Sequence, residues 1–121
     1  MAKFVSDAVM DAALDKIATG TILTVCSAQP TTRTEATSTY KLADVVVDSG
    51  DFSKANGDSS GRKVTIAQQA DVPVDSSGTA THVALCDGTN LLLVTTCTSQ
   101  VLTAGNTVTI PAFDDEIADA A

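Results

Sequence analysis

The spacing of apolar residues changes at Gly20. Before it, Met10, Ala13, Leu14 and Ile17 follow the i, i+3, i+4, i+7 spacing of one helical face. Asp7, Asp11 and Asp15 recur every fourth residue and form a polar side. The pattern predicts an amphipathic helix over residues 5–18. Ser6 can cap it, with Asp7 favourable in the first turn. Val5 and Met10 can form a hydrophobic staple across the cap, and Gly20 is a good stop. The apolar stripe serves either the chain's own core or an interface.

After Gly20 the pattern is that of strands. "TILTVCS" (Thr21–Ser27) and "KLADVVV" (Lys41–Val47) are strand-like and flank a polar loop, Ala28–Tyr40, long enough for a docking role. "SKANGDSSG" (Ser53–Gly61) reads as a turn-rich surface loop. "RKVTIAQ" places Val64 and Ile66 on one side and Lys63 and Thr65 on the other. Pro73 in "DVPV" marks an edge strand or a bulge. The last elements are Asn106–Ile110 and Ala112–Ala118. The whole predicts a mainly β chain, a sandwich or barrel of about eight short strands over residues 21–118, with the helix in front of it. No internal repeat or linker divides the chain.

The richest stretch is "TATHVALCDGTNLLLVTT", Thr79–Thr96. Asp87–Gly88–Thr89–Asn90 is a turn signal between two apolar runs. A turn that pairs Leu85 with Leu92 sets Val83 opposite Val94 and Thr81 opposite Thr96. One face then carries Val83, Leu85, Leu92 and Val94. The other carries His82, Ala84 and Cys86 beside Leu91, Leu93 and Thr95. Both faces are largely apolar, which predicts a central hairpin covered on both sides, or on one side by another subunit.

This pattern leaves little room for chemistry at the one histidine. Four strand residues separate His82 from Cys86 by roughly 13 Å, whereas zinc needs its ligand atoms within about 2.0–2.3 Å of one ion. Cys97 falls opposite Ala80, far from Cys86, and Cys26 is left free to meet either one. The cysteines read as small buried hydrophobes. There is no G-x-S-x-G elbow, no Walker loop, no G-x-G-x-x-G and no calcium-loop spacing. Neither an enzyme, a cofactor nor a metal site is expected.

Composition sharpens this. The 121 residues are one domain's worth, with enough chain to bury a core without staples. Aromatics make up only 3%, so Val, Ile, Leu and Ala must build that core. Four scattered aromatics, Phe4, Tyr40, Phe52 and Phe113, argue against a glycan-binding module. The net charge of −8, with scattered basic residues, argues against binding nucleic acid through its phosphates. It fits a solvated surface or a partner with a basic face. No apolar run approaches a membrane span of about 20 residues. "MAKFVSDAVMDAALDKIATG" lacks the apolar core of a signal peptide, and an odd count of three cysteines with no CxxC pair fits a reducing cytoplasm.

Four stretches carry a family resemblance: "TVCSAQPTTRTEATSTYKLADV", "SGRKVTI", "GTATHVALCDGTNLLLVTT" and "LTAGNTVTIPAFDDEIAD". Together with the helical start, the chain resembles a family of small virion structural proteins of tailed bacteriophages, associated with the head gene cluster near the major capsid protein. The resemblance implies a head decoration or cement protein that docks on the major capsid protein at the capsid surface, present in many copies as a homo-oligomer. A neck, collar or tail component is the other role it implies. It brings no catalytic residue. Such a protein needs a docking surface, and the candidate contacts are Lys3 and Phe4 before the helix, Met10 and Leu14 on its stripe, and Arg33 and Tyr40 in the polar loop.

Overall fold

Helix α1 (Asp7–Ile17) forms where the apolar stripe predicts it. The Ser6 side chain accepts a hydrogen bond from the Val9 backbone N–H at 3.3 Å, satisfying one of the N–H groups a helix start leaves unpaired. The computed structural model describes residues 6–58 and 61–117, so the Val5 staple lies outside the described residues. Met10 and Leu14 are buried, Ile17 packs beside them at the edge of the core, and Ala13 is exposed.

The structure is mainly β, with nine described strands in three sheets. These are β1 (Ile22–Cys26), β2 (Lys41–Val46), β3 (Phe52–Asn56), β4 (Arg62–Ile66), β5 (Gln69–Pro73), β6 (Gly78–Cys86), β7 (Leu91–Leu102), β8 (Thr107–Ile110) and β9 (Phe113–Ile117). The sheets run β2-β1-β6-β7, β3-β4-β9 and β5-β8, with every pairing antiparallel. Among the described residues they do not close into a barrel. A bridge between Ala43 and Val74 ties the third sheet to the first.

Strand β3 occupies the start of the stretch that composition marks as loop. Ser53 and Lys54 lie opposite Thr65 and Val64 of β4, so pairing with a strong strand overrides a weak local preference. Strand β5 carries the irregularity that Pro73 predicts: its register shifts between Gln69 and Val72, and Asp71 sits at a φ of 56°.

The β6–β7 hairpin is displaced by one residue from the simple turn. Cys86 pairs with Leu91, and a bulge then sets Leu85 opposite Leu93, Ala84 opposite Val94 and His82 opposite Thr96. The cause is the Asp87 carboxylate, which accepts the backbone N–H groups of Thr89 at 2.8 Å and Asn90 at 2.6 Å. That local turn fixes where the returning strand begins, and turn geometry sets hairpin register. A second shift between Ala80 and His82 puts Gln100, not Cys97, opposite Ala80.

Both faces of the four-stranded sheet are covered over its central strands β1 and β6. Leu23, Val25, Val83 and Leu85 face a core shared with Leu14, Val64, Ile66, Val72 and Ile110. Cys26, Ala84 and Cys86 form a second cluster on the opposite face, beneath Ala36 and Tyr40. The chain's own loop supplies this second cover. Cys26, Cys86 and Cys97 are all free thiols, and burial raises the pKa of each.

Candidate interaction surface

The Ala28–Tyr40 segment is a folded lid. Pro30 is fully buried, and a π-helical turn spans Glu35–Thr39. The Glu35 carboxylate accepts the backbone N–H and the hydroxyl of Thr31, both at 2.8 Å. Those bonds hold its acid below the usual carboxylate range. The Thr37 hydroxyl donates to the Arg33 carbonyl at 2.8 Å, and the Tyr40 N–H donates to the Glu35 carbonyl at 2.8 Å. On the inner side, the Cys26 thiol donates to the Ala36 carbonyl at 3.6 Å. What remains outward is hydroxyl-rich, Thr31, Thr32, Thr34, Ser38 and Thr39, grouped around the Glu35 carboxylate.

Asp87 joins the lid, the helix and the hairpin. Arg33 Nε donates to its backbone carbonyl at 2.8 Å, and Lys16 Nζ donates to its Oδ2 at 3.3 Å. The Thr89 and Asn90 amides, followed by Lys16, pull the Asp87 pKa down to about 2. The other face of the helix is tied to the second sheet. Asp11 pairs with Arg62 at 2.9 Å, and Asp15 pairs with Lys54. Lys41 meets Asp44 and Asp75, while Lys63 meets Asp58 and Asp114. Every Lys and Arg among the described residues is thus engaged by the chain itself, and the charge left over is acidic.

The predicted contacts fare unevenly. Met10 and Leu14 are 1% and 0% exposed, so they belong to the chain's own core and are withdrawn as partner contacts. A stripe at helical spacing cannot distinguish an inward face from a docking face, because both demand the same periodicity. Arg33 is half-buried and acts as a clamp on Asp87. Tyr40 is half-buried against the second cluster. Lys3 and Phe4 lie outside the described residues. The hydroxyl row of the lid went unpredicted, although the Thr and Ser density of the loop was its signal. His82 lies mid-strand with Nδ1 at 2.8 Å from the Thr81 hydroxyl. Among the described residues no group of three or more His, Cys, Asp or Glu side chains could hold a metal ion. No helix among them is long and apolar enough to cross a membrane.

One acid stands apart. Asp115 lies opposite the buried Val64, so the two share a sheet face, between Phe113 and Ile117, which pack on the core. Burial raises its pKa above the ordinary value. The native state therefore holds that proton more tightly than the unfolded chain does. Its contribution favours folding below the ordinary value and is lost as pH rises through the raised one. Asp115→Asn is expected to raise the melting temperature at pH 7 and to leave it unchanged below pH ~3, where Asp is protonated in either state. Melting curves at the two pH values check this, and an unchanged midpoint at pH 7 would refute it. Asp87 acts with the opposite sign: its depressed pKa gives stability that is lost as pH falls from ~4 towards 2.

No family model, curated protein or solved structure matches this chain.

Proposed function

We propose that this chain is a structural virion protein of a tailed phage, and specifically a decoration protein that docks on the major capsid protein and stabilises the assembled head. The observation that carries this reading is the lid. It is a loop pinned at both ends and along its length, and it presents a pre-ordered row of hydroxyls around the single Glu35 carboxylate. A surface already fixed in its bound shape loses little entropy on docking. Many copies on a shell multiply modest individual contacts. The sequence resemblance supports the same role, and the acid excess left by internal pairing suits a soluble subunit delivered to a large assembly. Its place in the infected cell would be the virion surface after synthesis in the host cytoplasm, with no nucleic acid or membrane as partner.

A ligand that binds the assembled shell and not its parts stabilises that shell by mass action. Heads carrying the protein should therefore release DNA at a higher temperature than heads lacking it. Thr34→Glu with Ser38→Glu places two charges on exposed lid positions whose side chains make no hydrogen bonds within the described structure. The double variant should fold normally by circular dichroism yet occupy heads poorly by gel densitometry. Decorated and bare heads that melt together would sink the decoration role. A copy number of about six to twelve per virion, the symmetry of a neck or collar ring, would move the protein there.

A further inference from the structure

An outer strand of a sheet leaves a row of backbone N–H and C=O groups unpaired, and natural proteins guard such edges with charge, proline or brevity. The outer strands of this chain are guarded in that way, with one exception. Strand β2 carries Lys41 and Asp44, and β3 carries Lys54. Strand β9 carries Asp114, Asp115 and Glu116, and β5 carries Asp71 and Pro73. Strand β8 has only four residues and is followed by Pro111. Strand β7 is the outer strand of the largest sheet and runs for 12 residues, LLLVTTCTSQVL, with no charge and no proline.

The side of the molecule next to β7 is also unfinished. The layers part between β7 and the joint of β8 with β9, leaving two adjoining openings of about 160 and 270 Å³. Val83, Cys97, Ile110, Pro111 and Phe113 are among their linings, and no charged residue is. Val101, further along β7, is 77% exposed.

We propose that β7 is a self-association edge, and that two copies of this chain pair β7 to β7, antiparallel across a two-fold axis, along the short regular segment Leu93–Thr96 between its two bulges. The bulge beyond Thr96 twists the remainder of the strand away and ends the pairing. Charge selects a second copy as the occupant. Each chain carries −8, so two copies can approach without burying like charges only through an acid-free face, and neither β6 nor β7 contains an acid. A two-fold axis sets this uncharged strand against itself, so each backbone donor on one copy meets an acceptor on the other. Inward side chains of the incoming strand lie over the apolar openings. The inference is independent of the capsid role, because it concerns the free chain.

Sedimentation equilibrium of the full chain across the micromolar range tests it. The expected result is a reversible monomer–dimer equilibrium that added salt strengthens, since salt screens the repulsion between the two acidic bodies. Thr96→Lys, a charge at an exposed position of the edge, should weaken dimerisation at least about tenfold. Its circular dichroism and its melting at high dilution should match the parent. Under copper–phenanthroline oxidation, in a Cys97→Ser background, Thr95→Cys near the two-fold axis should form covalent dimers faster than Ser53→Cys, which is exposed on β3. A chain that stays monomeric throughout, or a dimer indifferent to Thr96→Lys, would overturn the proposal.

Discussion

Replacing Leu85 with alanine is expected to lower the unfolding free energy by about 3–5 kcal/mol, the upper part of the range for emptying a well-packed leucine site. Leu85 is 0% exposed and sits in the middle of the largest sheet, opposite Leu23 on one side and Leu93 on the other. Antiparallel neighbours hold it on both flanks and the shared core covers it, so the site cannot collapse around a smaller side chain. Stabilities of natural domains are about 5–15 kcal/mol, so this single change removes a large part of the whole. Urea denaturation should show the midpoint falling with the slope preserved, the sign that stability changed and the extent of unfolding did not. A loss under about 1 kcal/mol would mean that Leu85 is not packed as described.

The second large effect comes from adding one methyl group at Gly20. A Cβ built there would lie 2.6 Å from Leu85 Cδ1 and 2.7 Å from its Cγ. The helix ends at Ile17 with Ala18 as its cap, and Gly20 lacks the positive φ of a helix-ending glycine, so its place in the fold is to make room for the central, buried leucine. Gly20→Ala is expected to cost about 1–3 kcal/mol through overpacking. In a Leu85→Ala background the obstacle is gone, and the same methyl group fills part of the cavity. The two changes should therefore fall short of additivity by about 1 kcal/mol or more. Strict additivity in the double-mutant cycle would show that the contact is not the cause. The test separates two explanations of Gly20: a helix stop alone predicts no coupling to Leu85.

Helix and strand types were legible in the chain because they depend on local spacing. The stripe through Met10, Leu14 and Ile17, the Ser6 cap and the alternation of Val64 and Ile66 are short-range patterns, and each appears in the structure as the spacing requires. The double apolar character of the β6–β7 hairpin was likewise visible, and β6 is buried on both faces, but the bulge moves Val94 to the face of Ala84 and Leu93 to that of Leu85. The hairpin register was not, because it rests on two hydrogen bonds to the Asp87 carboxylate and on the bulge that follows from them. Strand β3 was hidden because its residues favour turns, and only pairing with β4 makes them extended.

The role of the polar loop was decided by tertiary structure alone. Composition shows Ala28–Tyr40 to be polar and long, which describes a free docking arm and a fastened lid equally well. Arg33 reaches Asp87 across 54 residues of sequence, and no local pattern encodes a contact at that separation. The same holds for Leu14, whose spacing puts it on a stripe but whose core neighbours Val64 and Ile66 arrive from a distant strand. Sequence determined which side chains must leave water and in what periodicity. The assembled sheets decided which of those faces met each other, and left β7, among the described strands, as the one long edge that no charge or proline guards.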